Sequence, residues 1–250
     1  TLFFKGEKVS EKELISPIKE TTLLKYGQTC EKLTMNHRIT ALILFLCFLL
    51  SNCTKETTQQ TADNNGVKDA FENYKSSILK QNGSRAVKYV SLSTIEYYSQ
   101  MMEAALTGKE EEIKQLPTID KMMVILLRHR IEPKLLANMT GEKLFIYSVD
   151  NSWIKDSVIN SDVGEVTESH DKATAEFINY GKKTPLKYTF VRENGQWKLD
   201  LTAVMPISDQ AFKQVMESSN IGEDEYIFKV IESLSGEKLS EDIWQPIIKE

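Results

Sequence analysis

The spacing of apolar residues changes twice along this 250-residue chain. From Val67 to about Trp153 they recur at helical intervals. From Val158 to Val204 they fall into four short runs rich in β-branched and aromatic residues, with turn signals between them. After Pro206 the helical interval returns. These observations predict an α+β fold in which N-terminal helices pack on a four-stranded antiparallel sheet, with further helices after it.

Met35 to Cys53 reads as an export signal. His37 and Arg38 give a cationic start, Ala41 to Leu50 an unbroken apolar run, and Leu50-Ser51-Asn52-Cys53 a small and polar end. A spanning helix needs about 20 apolar residues, and this run is half that, the length of a signal-peptide core. It has no polar face at 3.6-residue spacing, unlike an amphipathic core helix. The ending resembles a bacterial lipobox, with cleavage between Asn52 and Cys53 and lipid on the cysteine, although Asn52 stands where Gly, Ala or Ser is usual. The resemblance implies a lipoprotein of the cell envelope, anchored in the membrane and facing periplasm or cell surface. Thr1–Thr34 is then an over-extended leader, because a signal core works near the start of a chain. The alternative is a cytoplasmic tail on an uncleaved anchor.

Three cysteines occur, at 30, 47 and 53. None follows Cys53, so the expected mature chain holds no disulfide, cysteine-ligated zinc or thiol nucleophile. Acidic residues outnumber basic ones after Thr54, and no Lys/Arg cluster marks a nucleic-acid face. Arg128-His129-Arg130 reads as a helix end and Lys182-Lys183 as a turn.

From Cys53 to Asn65 the chain is polar and reads as a flexible tether. Residues 66–206 form the expected domain and 207–250 a helical extension. Val67, Phe71, Tyr74 and Ile78 give the first helix one apolar stripe, with Asn64 or Asn65 as cap and Gly83 as stop. Ser93 and Glu96 offer a capping box for the second helix, whose buried face is Ile95, Tyr98, Met101, Met102 and Leu106. Glu110-Glu111-Glu112 suits a solvated first turn; consecutive carboxylates point apart and hold no metal. Met122 to Leu127 is apolar all round, which predicts the central core helix. Leu144 to Val149 fits helix or strand, with helix preferred.

The runs Val158–Val166, Ala173–Tyr180, Leu186–Arg192 and Trp197–Val204 are the expected strands. His170-Asp171, Gly181-Lys182-Lys183 and Asn194-Gly195 are the turns between them. Asn-Gly best tolerates the two positive φ angles of a type I′ turn. Around it Tyr188, Phe190 and Trp197 alternate with polar residues, so they share a buried face expected to pack on the Met122–Leu127 helix. Helix resumes at Ser208-Asp209 and again at Tyr226, Gly236 stops it, and Ile243, Trp244, Ile247 and Ile248 form an apolar flap expected over the domain's pocket mouth, with a partner or ligand surface as the alternative.

Helices followed by a four-strand meander resemble the NTF2-like (SnoaL-like, cystatin-like) cone, in which a curved sheet wraps a helix and leaves a pocket. Lys187 to Asp200 is similar to the last hairpin of such domains. The resemblance makes Tyr188, Phe190, Trp197, Met122 and Met123 candidates for the pocket lining. Enzymes of this class place a buried Asp, His or Tyr in the cone. Here His129 is explained by a helix end, His170 by an exposed turn, and Asp200 points to solvent, so no catalytic residue is assigned. No phosphate loop, HExxH, GxSxG or paired CxxC follows Cys53, and no metal or cofactor is expected. The function expected is a lipid-anchored, non-enzymatic envelope protein binding a small apolar ligand or an envelope partner. A cone-type isomerase, dehydratase or hydrolase is the alternative.

Overall fold

A computed structural model describes residues 56–240 and 242–248, with side-chain surroundings from residue 65. The contacts below lie in one unit that takes in Ala62–Glu250. The leader, the apolar run, Asn52 and Cys53 lie outside the described residues. The chain is α+β, with helices on both sides of a four-stranded antiparallel sheet in sequence.

Helix α1 spans Glu56–Leu79, so the stretch expected as a tether is helical from Glu56. Residues 56–65 contain no Pro or Gly to interrupt a helix once its buried half has nucleated it. Asn64 and Asn65 are therefore interior, not caps. Val67, Phe71, Tyr74 and Ile78 are all buried, as their spacing requires. The stop comes at Gln81, which turns left-handed (φ 53°), two residues before Gly83 opens the short α2 (Gly83–Ala86).

Helix α3 spans Leu92–Thr107, and its cap is Ser91 rather than Ser93. Val90 bridges to Leu199, and the Ser91 N–H donates to the Leu199 carbonyl at 2.9 Å. That tertiary pairing holds Ser91 extended, and its buried Oγ accepts from the Thr94 N–H at 3.2 Å. Tyr98, Met101 and Leu106 are buried as expected; Thr94 and Ala105 replace Ile95 and Met102, which are only partly covered. Helix α4 (Glu110–Lys114) carries the three glutamates in its first turn, and Glu112 caps it by accepting from the Lys109 N–H at 2.8 Å. Helices α5 (Thr118–Arg130), α6 (Pro133–Ala137) and α7 (Gly141–Asp150) follow.

Strands β1 (Ser161–Ser169), β2 (Lys172–Asn179), β3 (Lys182–Glu193) and β4 (Gln196–Asp200) pair in sequence order, all antiparallel. Asn194 (φ 51°) and Gly195 (φ 77°) form the expected turn. The second turn is Tyr180-Gly181, and Lys182 and Lys183 already belong to β3. Irregularities between Val163 and Val166 and between Glu176 and Ile178 bend the sheet. Its inner face is Val166, Ala173, Ala175, Phe177, Tyr188, Phe190, Trp197 and Leu199, all buried.

The helix against that face is α1, not the Met122–Leu127 segment. Tyr188 stacks on Phe71 with ring centroids 5.1 Å apart. A Cβ on Gly66 would lie 3.1 Å from Cδ1 of Trp197, so the helix meets the indole where no side chain intervenes. Helix α5 is apolar all round for a different reason, because it serves two cores. Val124 and Leu127 join the main core, whereas Ile119, Met122 and Ile125 join a second one with Phe212, Ile227, Ile231 and Ile243.

That second core belongs to the C-terminal region. Helix α8 (Met205–Glu217) starts before the expected boundary, with Pro206 in its first turn, and α9 (Glu223–Ser235) ends at left-handed Gly236 (φ 74°). The flap spans this core and the main one, with Ile247 on the main core and the Ile248 N–H donating to Leu106 O at 2.8 Å, and does not lie over a pocket in the sheet. Ile243 is buried among these helices, and Trp244 lies 5.5 Å from Phe228.

Candidate functional site

The concave side of the sheet is where a cone would hold a ligand, and its own aromatic side chains occupy it. Phe71 and Tyr74 enter from α1, and Phe177 and Tyr188 meet at 4.9 Å on the sheet. What remains is a cavity of about 40 Å³ bordered by Tyr74, Val158, Phe177, Leu186, Tyr188 and Val204. An apolar cavity that takes benzene measures about 150 Å³. Burial pushes the Tyr188 phenol up to about 12, with a hydrogen bond to Ser161 pulling the other way, and burial also raises Tyr74. Both phenols are neutral at pH 7, and no carboxylate or histidine borders the cavity.

The five pocket candidates do not converge. Tyr188, Phe190 and Trp197 share the inner face, and of these only Tyr188 borders the cavity. Met122 sits in the second core and Met123 is half-buried against the first. Asp200 caps the turn Leu201–Val204 by accepting from the Thr202 N–H at 3.0 Å. His129 Nε2 lies 3.0 Å from the Ser235 hydroxyl, and His170 is an exposed turn residue at φ 55°.

Polar groups unassigned from sequence tie the helices together. Arg128, expected to serve its own helix end, crosses to α3 and to the C-terminal segment. Nε donates to Ala105 O at 2.9 Å and Nη2 to Gly108 O at 2.6 Å and Ala104 O at 3.2 Å. Nη1 donates to Trp244 O at 2.7 Å and Ile243 O at 3.2 Å. A buried guanidinium thus satisfies carbonyls that end α3. Lys121, 3% exposed, meets Glu223 at 3.2 Å and Asp224 at 3.8 Å. Tyr97 donates to Asp120 at 2.8 Å, and burial raises both groups. An arginine and a lysine inside an apolar helix were the available signals, but their partners lie about 20 to 116 residues away.

A second recess lies on the surface between α3 and α4. It is an open groove of about 340 Å³ with Ala104, Gly108, Ile113 and Leu116 as floor and Gln100, Glu103, Thr107 and Glu112 as rim. A Cβ on Gly108 would fall 2.6 Å from both Ala104 O and Ile113 Cδ1, so glycine lets the end of α3 and Ile113 approach this closely.

Among the described residues, no three His, Cys, Asp or Glu side chains gather to hold a metal ion, and no helix is long and apolar enough to cross a membrane. The model of a family of unknown function, DUF6694, matches residues 39–127. No curated protein and no solved structure matches the chain.

Proposed function

We propose that this chain is a lipid-anchored, non-enzymatic protein of the cell envelope, held by lipid on Cys53, that acts by binding an envelope partner through its surface. One observation supports a partner over a small ligand. The aromatic side chains that fill the concave face leave about 40 Å³, too little for an apolar ligand. A bent sheet over α1 is read as the NTF2-like cone, closed by its own side chains, and an isomerase or dehydratase of that class needs the cone open. The anchor is supported by the sequence of Met35–Cys53. The family match begins at residue 39 and takes in both the apolar run and Cys53.

Radiolabelled palmitate should enter the wild type and not Cys53→Ala, and globomycin should block its maturation. Native mass spectrometry of protein taken from its own envelope should return the lipidated chain without a small molecule. A retained molecule overturns the partner reading; label surviving Cys53→Ala overturns the anchor.

A further inference from the structure

We infer that the groove between α3 and α4 docks a cationic peptide segment of the envelope partner, with one apolar side chain seated on its floor. This deepens the partner-binding reading and rests on it.

Charge selects the occupant. Between residues 103 and 114 stand four carboxylates, Glu103, Glu110, Glu111 and Glu112, against Lys109 and Lys114. Lys114 is engaged with Glu110 at 2.6 Å and lies over the Trp244 ring at 5.0 Å, which draws it toward the second core. Glu103 and Glu112 stand on the rim itself, both exposed. Behind the floor lies Arg128, whose contacts are the carbonyls already given. Lys109 and Lys114 are exposed as well, so the stretch carries a net charge of −2 (two lysines against four glutamates), with Glu103 and Glu112 facing out on the rim. An acidic peptide or an anionic lipid surface would be repelled, and a Lys- or Arg-bearing segment attracted.

The floor selects the anchor. Ala104, Ile113 and Leu116 offer an apolar base, and the volume falls at the low end of the ~300–1,000 Å³ of ligand sites, enough for a single large side chain. The site is also held in shape. Arg128 fixes Ala104, Ala105 and Gly108, the Gly108 N–H returns to Ala104 O at 3.0 Å, and Glu112 closes the start of α4. Such pre-organisation lowers the ordering cost of binding.

The test uses the full chain in a neutral detergent and a labelled probe, acetyl-Lys-Lys-Phe-Lys-Lys-amide, read by fluorescence anisotropy. The probe should bind, and salt should weaken it. Glu103→Lys combined with Glu112→Gln, which keeps an acceptor for the α4 cap, should weaken it about tenfold or more. A probe with Ala for Phe should also bind more weakly, and the Glu-for-Lys probe not at all. If the double variant melts early, Glu103→Gln alone should still give a smaller loss in the same direction. Equal affinity of wild type and variants, or equal binding of the Glu probe, overturns the groove. Palmitate labelling and native mass spectrometry read the broader proposal separately, so either can fail without the other.

Discussion

Arg128 and Trp244 are 116 residues apart in sequence, and the guanidinium of one donates to the carbonyl of the other at 2.7 Å. With the four other carbonyls that Arg128 reaches, this makes one side chain the joint between α3, α5 and the C-terminal segment. Arg128→Met should destabilise the protein by about 3 kcal/mol or more, because buried acceptors lose their donors together. Arg128→Lys should recover little, since an ammonium has three donors and no planar fork. Urea denaturation of both variants decides this; a lysine variant as stable as wild type would show that charge, not the fork, matters.

Trp197 fills the space where α1 meets the sheet, and Trp197→Ala should cost about 3–5 kcal/mol. The partner is specific. Phe71→Leu should couple to changes at Tyr188, whereas Met122→Leu should not, because Met122 lies in the other core. A double-mutant cycle that couples Tyr188 to Met122 instead would contradict the packing of α1 on the sheet.

Tyr180 stands 68% exposed at φ 49° in a tight hairpin before Gly181. Asn tolerates that conformation better, so Tyr180→Asn should raise stability by about 0.5–1 kcal/mol. The reverse experiment is the replacement of Asn194-Gly195 by two valines, which should destabilise, because both positions need positive φ. Thermal melts give both signs directly.

Asp209 on α8 accepts the Ile119 N–H at the start of α5, at 3.1 Å, and pairs with Lys213 at 2.9 Å. Burial alone would raise its carboxyl, but the Lys213 contact and the amides of Ile119 and Thr118 hold it below the usual carboxylate value. A folded-state pKa below the unfolded one stabilises fully above the unfolded value near 3.9 and is lost as pH falls through the lower folded value. Asp120 is shifted upward, chiefly by burial, so its own contribution runs in the opposite sense. Asp209→Asn should therefore be less stable than wild type at pH 7, by about 1 kcal/mol for a part-buried cap, and the gap should close as pH falls below ~4. Melting curves collected from pH 7 to 2 would show it; parallel curves would remove the linkage.

The α+β class, the four strands, the Asn194-Gly195 hairpin and the shared face of Tyr188, Phe190 and Trp197 were legible because period and turn chemistry are local. The second core was not. Met122 to Leu127 announces burial on all sides but does not say by what, and the answer lies in Phe212, Ile227 and Ile243. The cap at Ser91 was hidden for a like reason, since it depends on a bridge to Leu199. At the candidate site, the inner-face residues could be named from alternation, whereas their filling by Phe71 and Tyr74 required the placement of α1. The groove rests on Gly108 and Ile113, a glycine and an apolar residue that look like an ordinary helix stop and a core position.

The double role of α5 has a consequence for the order in which the protein matures. Synthesis proceeds from the N-terminus, so α3 and α5 are made with Ile243 and Trp244 still to come. Until they arrive, Nη1 of Arg128 lacks both of its acceptors, and the Ile119, Met122 and Ile125 face has Phe212, Ile227 and Ile231 against it but not Ile243. Both cores can begin to close, but the joint that Arg128 makes between α3, α5 and the C-terminal segment stays unmade. A chain cut short before residue 243 would leave those Arg128 donors unpaired beneath the end of α3, so the fold is complete only when its last residues arrive.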